Sequence, residues 1–96
     1  MLLEIITPEL KIFAGEVHAV QLPGLDGSFP LLKGHAPIIS GLNKGVVKVD
    51  LSNPFEQYEG ASKQIENDST NNKVIRVAIQ GGVVELLNDK IIVLAE

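Results

Sequence analysis

Residues 83–94 read VVELLNDKIIVL. Two apolar runs are separated only by Asn88-Asp89, Lys90 aside. Asn and Asp tolerate the positive φ that a type I′ turn requires, so this spacing predicts a tight antiparallel β-hairpin. Gly81-Gly82 stands just before the first run and marks the end of whatever precedes it.

What precedes it also reads as strand. In residues 74–79, Ile75, Val77 and Ile79 alternate with Arg76. In residues 46–51, Val47, Val49 and Leu51 share one face, and Lys48 and Asp50 share the other with Val46. A period of two with one apolar face is the pattern of half-buried antiparallel strands. Leu2 to Ile6 is a short apolar run closed by Thr7-Pro8. Residues 10–22 form an extended stretch in which Gly15 suits a bulge or bend. Pro23-Gly24 ends that stretch, and Asp26-Gly27 follows as a turn pair. Turn spacing gives roughly seven to ten short strands. Two facing sheets are the natural way to bury so many half-apolar strands. The predicted core is Ile5, Val47, Val49, Ile75, Val77, Val84, Leu86 and Ile92.

Residues 52–73 depart from this pattern, being polar and rich in turn formers. They are expected to leave the sheet at a hairpin end. Asn53-Pro54 with Glu56 can cap a short helix, and residues 67–72 are expected to be mobile.

The chain has 96 residues, enough for one domain with one modest core. Apolar residues make up 45% and aromatics 4%, so that core is aliphatic. The net charge is −4 and Arg76 is the single arginine, so no basic face for nucleic acid exists. No cysteine is present, which excludes disulfide scaffolds and thiolate metal sites. Met1-Leu2-Leu3 is followed at once by Glu4, without the basic and apolar regions of a signal peptide. No run approaches the roughly 20 apolar residues of a membrane span. The expectation is a soluble cytoplasmic protein that does not insert into a membrane.

Catalytic patterns are weak. Gly81-Gly82 is not followed by the Lys-Ser/Thr of a phosphate-binding loop. His35 shares a region with Ser28 and Ser40, and Asp26 would have to orient it, but no nucleophile-elbow pattern supports a triad. A metal site would have only His18 and His35 with scattered carboxylates. The favoured reading puts His18 on a solvent-facing strand position and His35 in a turn, its ring bonded to backbone groups. No catalytic, cofactor or metal site is predicted. The residues alone thus reach a small antiparallel β domain with a binding or structural role.

The order of the turn elements adds more. Phe13, Gly15 and Val17 are followed by Gly24 and Gly27, then by Gly34-His35-Ala36-Pro37 and Gly45. Gly81-Gly82 with Glu85 comes next, and Val93-Leu94-Ala95-Glu96 closes the chain. This succession resembles the N-terminal domain of the epsilon subunit family of F-type ATP synthases, called delta in mitochondria. It departs from the family pattern at Ser28, Pro30, Leu31, Lys33 and Lys44. Residues 52–73 look longer than the family's loop, and the sequence stops at Glu96, before the helical hairpin of many members.

The resemblance implies an all-β fold, a ten-stranded antiparallel β-sandwich over residues 1–96 without a C-terminal helical hairpin. It implies a non-catalytic central-stalk subunit that binds the gamma subunit and touches the ring of membrane c subunits. It would couple ion transport to ATP synthesis at the cytoplasmic face of a bacterial inner membrane. Carried over, the ring contact would lie in a loop comprising Asp26, Gly27, Ser28, Phe29, Lys33 and His35. Gly15, Gly24, Gly34, Pro37, Gly45, Gly81 and Gly82 would shape the family's turns. Two other classes stand beside this one: a free-standing β-sandwich module for a small ligand or peptide, and a small enzyme using His35.

Overall fold

The computed structural model describes residues 1–55 and 64–96. Among them lie nine strands and no helix. These are β1 (Leu2–Ile6), β2 (Lys11–Gly24), β3 (Gly27–Leu32), β4 (Ile38–Leu42) and β5 (Gly45–Leu51), then β6 (Ile65–Asn67), β7 (Val74–Ile79), β8 (Gly82–Leu87) and β9 (Lys90–Ala95).

The strands form two layers that share β2. The first half of β2 pairs with β1, and the order runs on through β9 and β8 to β4. The second half of β2 lies between β3 and β5, and β5 continues to β7 and β6. Counting β2 once in each layer gives five members per layer, which reconciles nine observed strands with the ten expected. The crossing is marked by a register shift against β5 between Val17 and Ala19. Gly15 itself sits in unbroken pairing opposite Leu3. The expected bulge therefore falls two to four residues later. Gly15 instead leaves room for the Phe13 ring, whose Cζ would lie 2.9 Å from a Cβ at that position.

The hairpin of residues 83–94 forms as predicted. Asn88 and Asp89 have φ of 51° and 62°, and Leu87 pairs with Lys90 around them. One expectation fails: the sandwich is not wholly antiparallel, because β1 runs parallel to β9. Alternation shows which face of a strand is buried but carries no information on its direction, and this pair joins the two ends of the chain.

One aliphatic core lies between the layers. Leu3, Ile5, Val84, Ile91 and Val93 face it from one side, and Val20, Leu22, Val47, Val49, Ile75 and Val77 from the other, all at 0–1% exposure. Each such side chain contributes about 1.5–3 kcal/mol through removal from water. Ile92 is the one predicted core residue that is misplaced. It is half-buried on the outer face, while Ile91 and Val93 point inward.

The polar stretch falls between the paired β5 and β7, and β6 is added along β7. Residues 51–55 form no helix, and Phe55 N–H donates to the Asn72 carbonyl at 2.7 Å. Glu56, the other half of the predicted cap, lies outside the described residues. Residues 67–72, expected to be mobile, are tied by side chains. The Asp68 carboxylate accepts from Thr70 Oγ1 at 2.8 Å, Thr70 N–H at 3.0 Å and Arg76 Nη1 at 2.9 Å. The Thr70 hydroxyl, then the Arg76 guanidinium, hold this carboxyl well below the usual carboxylate range.

Candidate functional site

The residues expected to form one contact loop are divided between the two ends of β3. Leu25 and Asp26 make the turn from β2 into β3, and Gly27 follows with φ +117°. Ser28 Oγ accepts from Gln21 Nε2 at 2.8 Å. The Phe29 ring covers Gly24, where a Cβ would lie 2.7 Å from the ring carbons. The turn before β5 joins this end, since Asn43 N–H donates to the Pro23 carbonyl at 2.7 Å. Gly45 and the Gly81-Gly82 step lie here too, paired through Pro23 and Leu42.

Lys33 and His35 lie at the far end. Asp26 and Lys33 flank the six residues of β3, roughly 20 Å apart at about 3.3 Å per residue, with Gly27, Ser28 and Phe29 in its first half. There Gly34 and His35 border a recess with Met1, Asn88 and Asp89. His35 N–H closes a turn onto the Leu32 carbonyl at 3.0 Å, and its Nδ1 donates to the Ala36 carbonyl at 2.7 Å. The ring thus bonds backbone, as the sequence suggested, and His18 is exposed on β2. Ser28 and Asp26 are a strand length away from His35, so a triad of these three is not assembled. Among the described residues no group of three His, Asp or Glu side chains could hold a metal ion.

A different feature escaped the sequence reading. The outer faces of the two layers differ in character. On the β3-to-β6 layer, one cross-strand row reads Pro30, Gln21, Lys48, Arg76, Glu66, a solvated row, with exposed aliphatics at Leu32 and Val46 to either side of it. On the other layer, Gly41, Val83, Leu94 and Ile6 make one row, and Ile39, Glu85, Ile92 and Glu4 the next. Ile39 is 75% exposed, Leu94 55%, Leu87 50% and Val83 42%. Leu25 folds onto the same face over Gly41, where a Cβ would lie 2.7 Å from Leu25 Cδ1. Single exposed aliphatics are ordinary, but a contiguous group of them marks a surface that meets a partner. The signal was present in VVELL and IIVL, where both parities are apolar. Strands covered on both faces read this way.

The family model for the β-sandwich domain of ATP synthase delta/epsilon chains matches residues 1–58. The chain belongs to this family. The ATP synthase epsilon chain of Chlorobium limicola is 39% identical over 94 residues, 98% of this chain and 86% of that one. That of Pelotomaculum thermopropionicum is 33% identical over 93 residues, 97% of this chain but 55% of its own length. The chain therefore spans most of one delta/epsilon relative and little more than half of another. Among solved structures, a chain of the Euglena gracilis mitochondrial ATP synthase (OSCP/F1/c-ring) aligns over 99% of this chain and 49% of its own. Its TM-score is 0.68 at 18% identity. A chain of the Tetrahymena thermophila central stalk/c-ring structure gives 0.64 at 16% identity, over 98% and 63%. At such identities the likeness is one of fold, and it places this delta/epsilon chain in the same two-layered architecture.

Proposed function

We propose that the chain is a non-catalytic rotor subunit of an F-type ATP synthase. In this reading residues 1–96 act as one β-sandwich unit, peripheral to the membrane on the cytoplasmic face of a bacterial inner membrane. The unit fastens the gamma subunit to the c ring, so that ion transport and ATP synthesis stay coupled. The observation that carries the reading is the apolar outer face of β4, β8 and β9 on a member of the delta/epsilon family. A face with Ile39, Val83, Leu87 and Leu94 exposed suits a broad contact with an apolar centre, the kind that stays bound under load. We assign that contact to gamma. The β2–β3 turn, with Asp26, Gly27 and Ser28, is then the ring-facing end, and Lys33 and His35 point away from the ring.

Co-purification tests this assignment. The untagged chain, expressed with its cognate tagged gamma subunit, should be retained with gamma and elute with it in gel filtration. Ile39→Asp should abolish retention while leaving the β spectrum intact, since Ile39 is exposed. A wild-type chain that elutes alone would overturn the reading.

A further inference from the structure

Two carboxylates lie in one cross-strand row of the apolar face, and the chain treats them differently. Glu4 is neutralised from within: Lys90 Nζ is 3.3 Å and Lys11 Nζ 3.8 Å from its oxygens. Glu85 has no such partner. Ile39 and Ile92 flank it across the strands, and Val83 and Leu87 flank it along β8 on the same face. Lys90 is its diagonal neighbour across the hairpin, but the Lys90 ammonium is committed to Glu4. Among the described residues nothing donates a hydrogen bond or an ion pair to the Glu85 carboxylate. In the free chain that costs nothing, because Glu85 is exposed and hydrated.

Covering the face changes this. A partner that buries the four surrounding aliphatics also removes water from the carboxylate at their centre. An unpaired buried carboxylate is far too costly to survive in a stable interface. We infer that Glu85 is a specificity residue of the gamma contact, and that gamma sets a lysine or arginine side chain on it, inside the ring of Ile39, Val83, Leu87 and Ile92. The inference rests on the proposed assignment of this face to gamma. An apolar patch alone accepts many partners in many registers. A single desolvated ion pair at its centre rejects those without the matching cation and fixes the register of the one that has it.

The test is the affinity of the chain for purified cognate gamma, measured for three variants. Glu85→Gln keeps the shape and removes the charge, and its Kd should rise at least about thirtyfold. Glu85→Leu makes the face wholly apolar and should also weaken binding, because it leaves the gamma cation buried without its partner. Ile39→Asp is the control for the face itself. If Ile39→Asp loses gamma while Glu85→Gln binds within about twofold of wild type, or Glu85→Leu binds more tightly, the ion pair is refuted and the assignment of the face survives. If Ile39→Asp binds normally, the face assignment fails, and the inference with it.

Discussion

Gly81 and Gly82 look interchangeable in the sequence, yet the structure predicts unequal losses when each becomes alanine. Their φ values are +147° and +149°, a region where a Cβ is strained, at about 1–3 kcal/mol per residue. Surroundings separate them. A Cβ at Gly81 would lie 3.4 Å from the Leu42 carbonyl oxygen, an ordinary contact. At Gly82 it would overlap the Leu94 carbonyl oxygen and lie 3.1 Å from Ala95 Cα. Those atoms are backbone of β9, which pairs with β8 here, so they move only by distorting the hairpin. Such overpacking adds about 1–3 kcal/mol. Alanine also lowers the entropy of the unfolded chain, an offset of about 0.4–1 kcal/mol. Gly81→Ala should therefore lose about 0–2.6 kcal/mol and Gly82→Ala about 1–5.6 kcal/mol, out of a total of about 5–15 kcal/mol. Each kilocalorie lowers Tm by about 4–8 °C in a domain of this size. Urea denaturation followed by far-UV circular dichroism gives both values. Equal losses, or a Gly82→Ala loss below about 1 kcal/mol, would refute the steric reasoning.

Two further outcomes are expected. The depressed pKa of Asp68 means that its carboxylate stabilises the fold fully above about pH 4, where an unfolded aspartate is ionised, and loses that effect as pH falls through the lower folded value. Asp68→Asn should thus be less stable than wild type near neutrality, and the gap should close in acid; urea midpoints that differ equally at both pH values would contradict this. In membranes reconstituted with the whole synthase, Ser28→Trp at the β2–β3 turn should lower the ratio of proton pumping to ATP hydrolysis. His35→Trp, at the other end of β3, should leave that ratio unchanged, and a reversed pattern would move the ring contact to the His35 end.

The hairpin at Asn88-Asp89 was legible because its chemistry is local: a turn that needs two positive φ values selects these residue types. β5 and β7 were legible because Lys48, Asp50 and Arg76 mark the solvent side. The IIV run of β9 carries no such mark, and Ile92 was placed inside wrongly. The hairpin register could have corrected it. If Leu87 pairs with Lys90, then Leu86 must pair with Ile91 and Val84 with Val93, so a core containing Val84 and Leu86 requires Ile91 and Val93. The parallel β1–β9 pair had no local trace at all. The candidate contact residues were gathered into one loop by carry-over from the family resemblance, and no alternation in residues 27–32 marked the strand between them. Pro30 is tolerated as strand because, among the described residues, β3 is bonded only to β2 and its other edge is unpaired. That single strand carries His35 away from Ser28.

The same strand geometry bears on how a small domain can transmit load. β2 runs 14 residues and belongs to both layers, so the sheet that presents the apolar face and the turn at Leu25-Asp26 are parts of one continuous element. The turn does not merely hang from its end. Leu25 reaches back from it onto Gly41 of β4, a glycine whose missing Cβ is what lets the leucine lie there. Pro23 packs in the same way on Gly45, and Phe29 on Gly24. Three large side chains seated on three glycines lock the turn against the strands around it. A close-packed contact of this kind resists displacement, because its atoms have no free space to yield into. In the proposed rotor, torque received at the turn would reach the apolar face through packed atoms, not through a flexible loop. In that proposal the glycines of this end would do more than permit tight turns: they would be the sockets in which the turn is held.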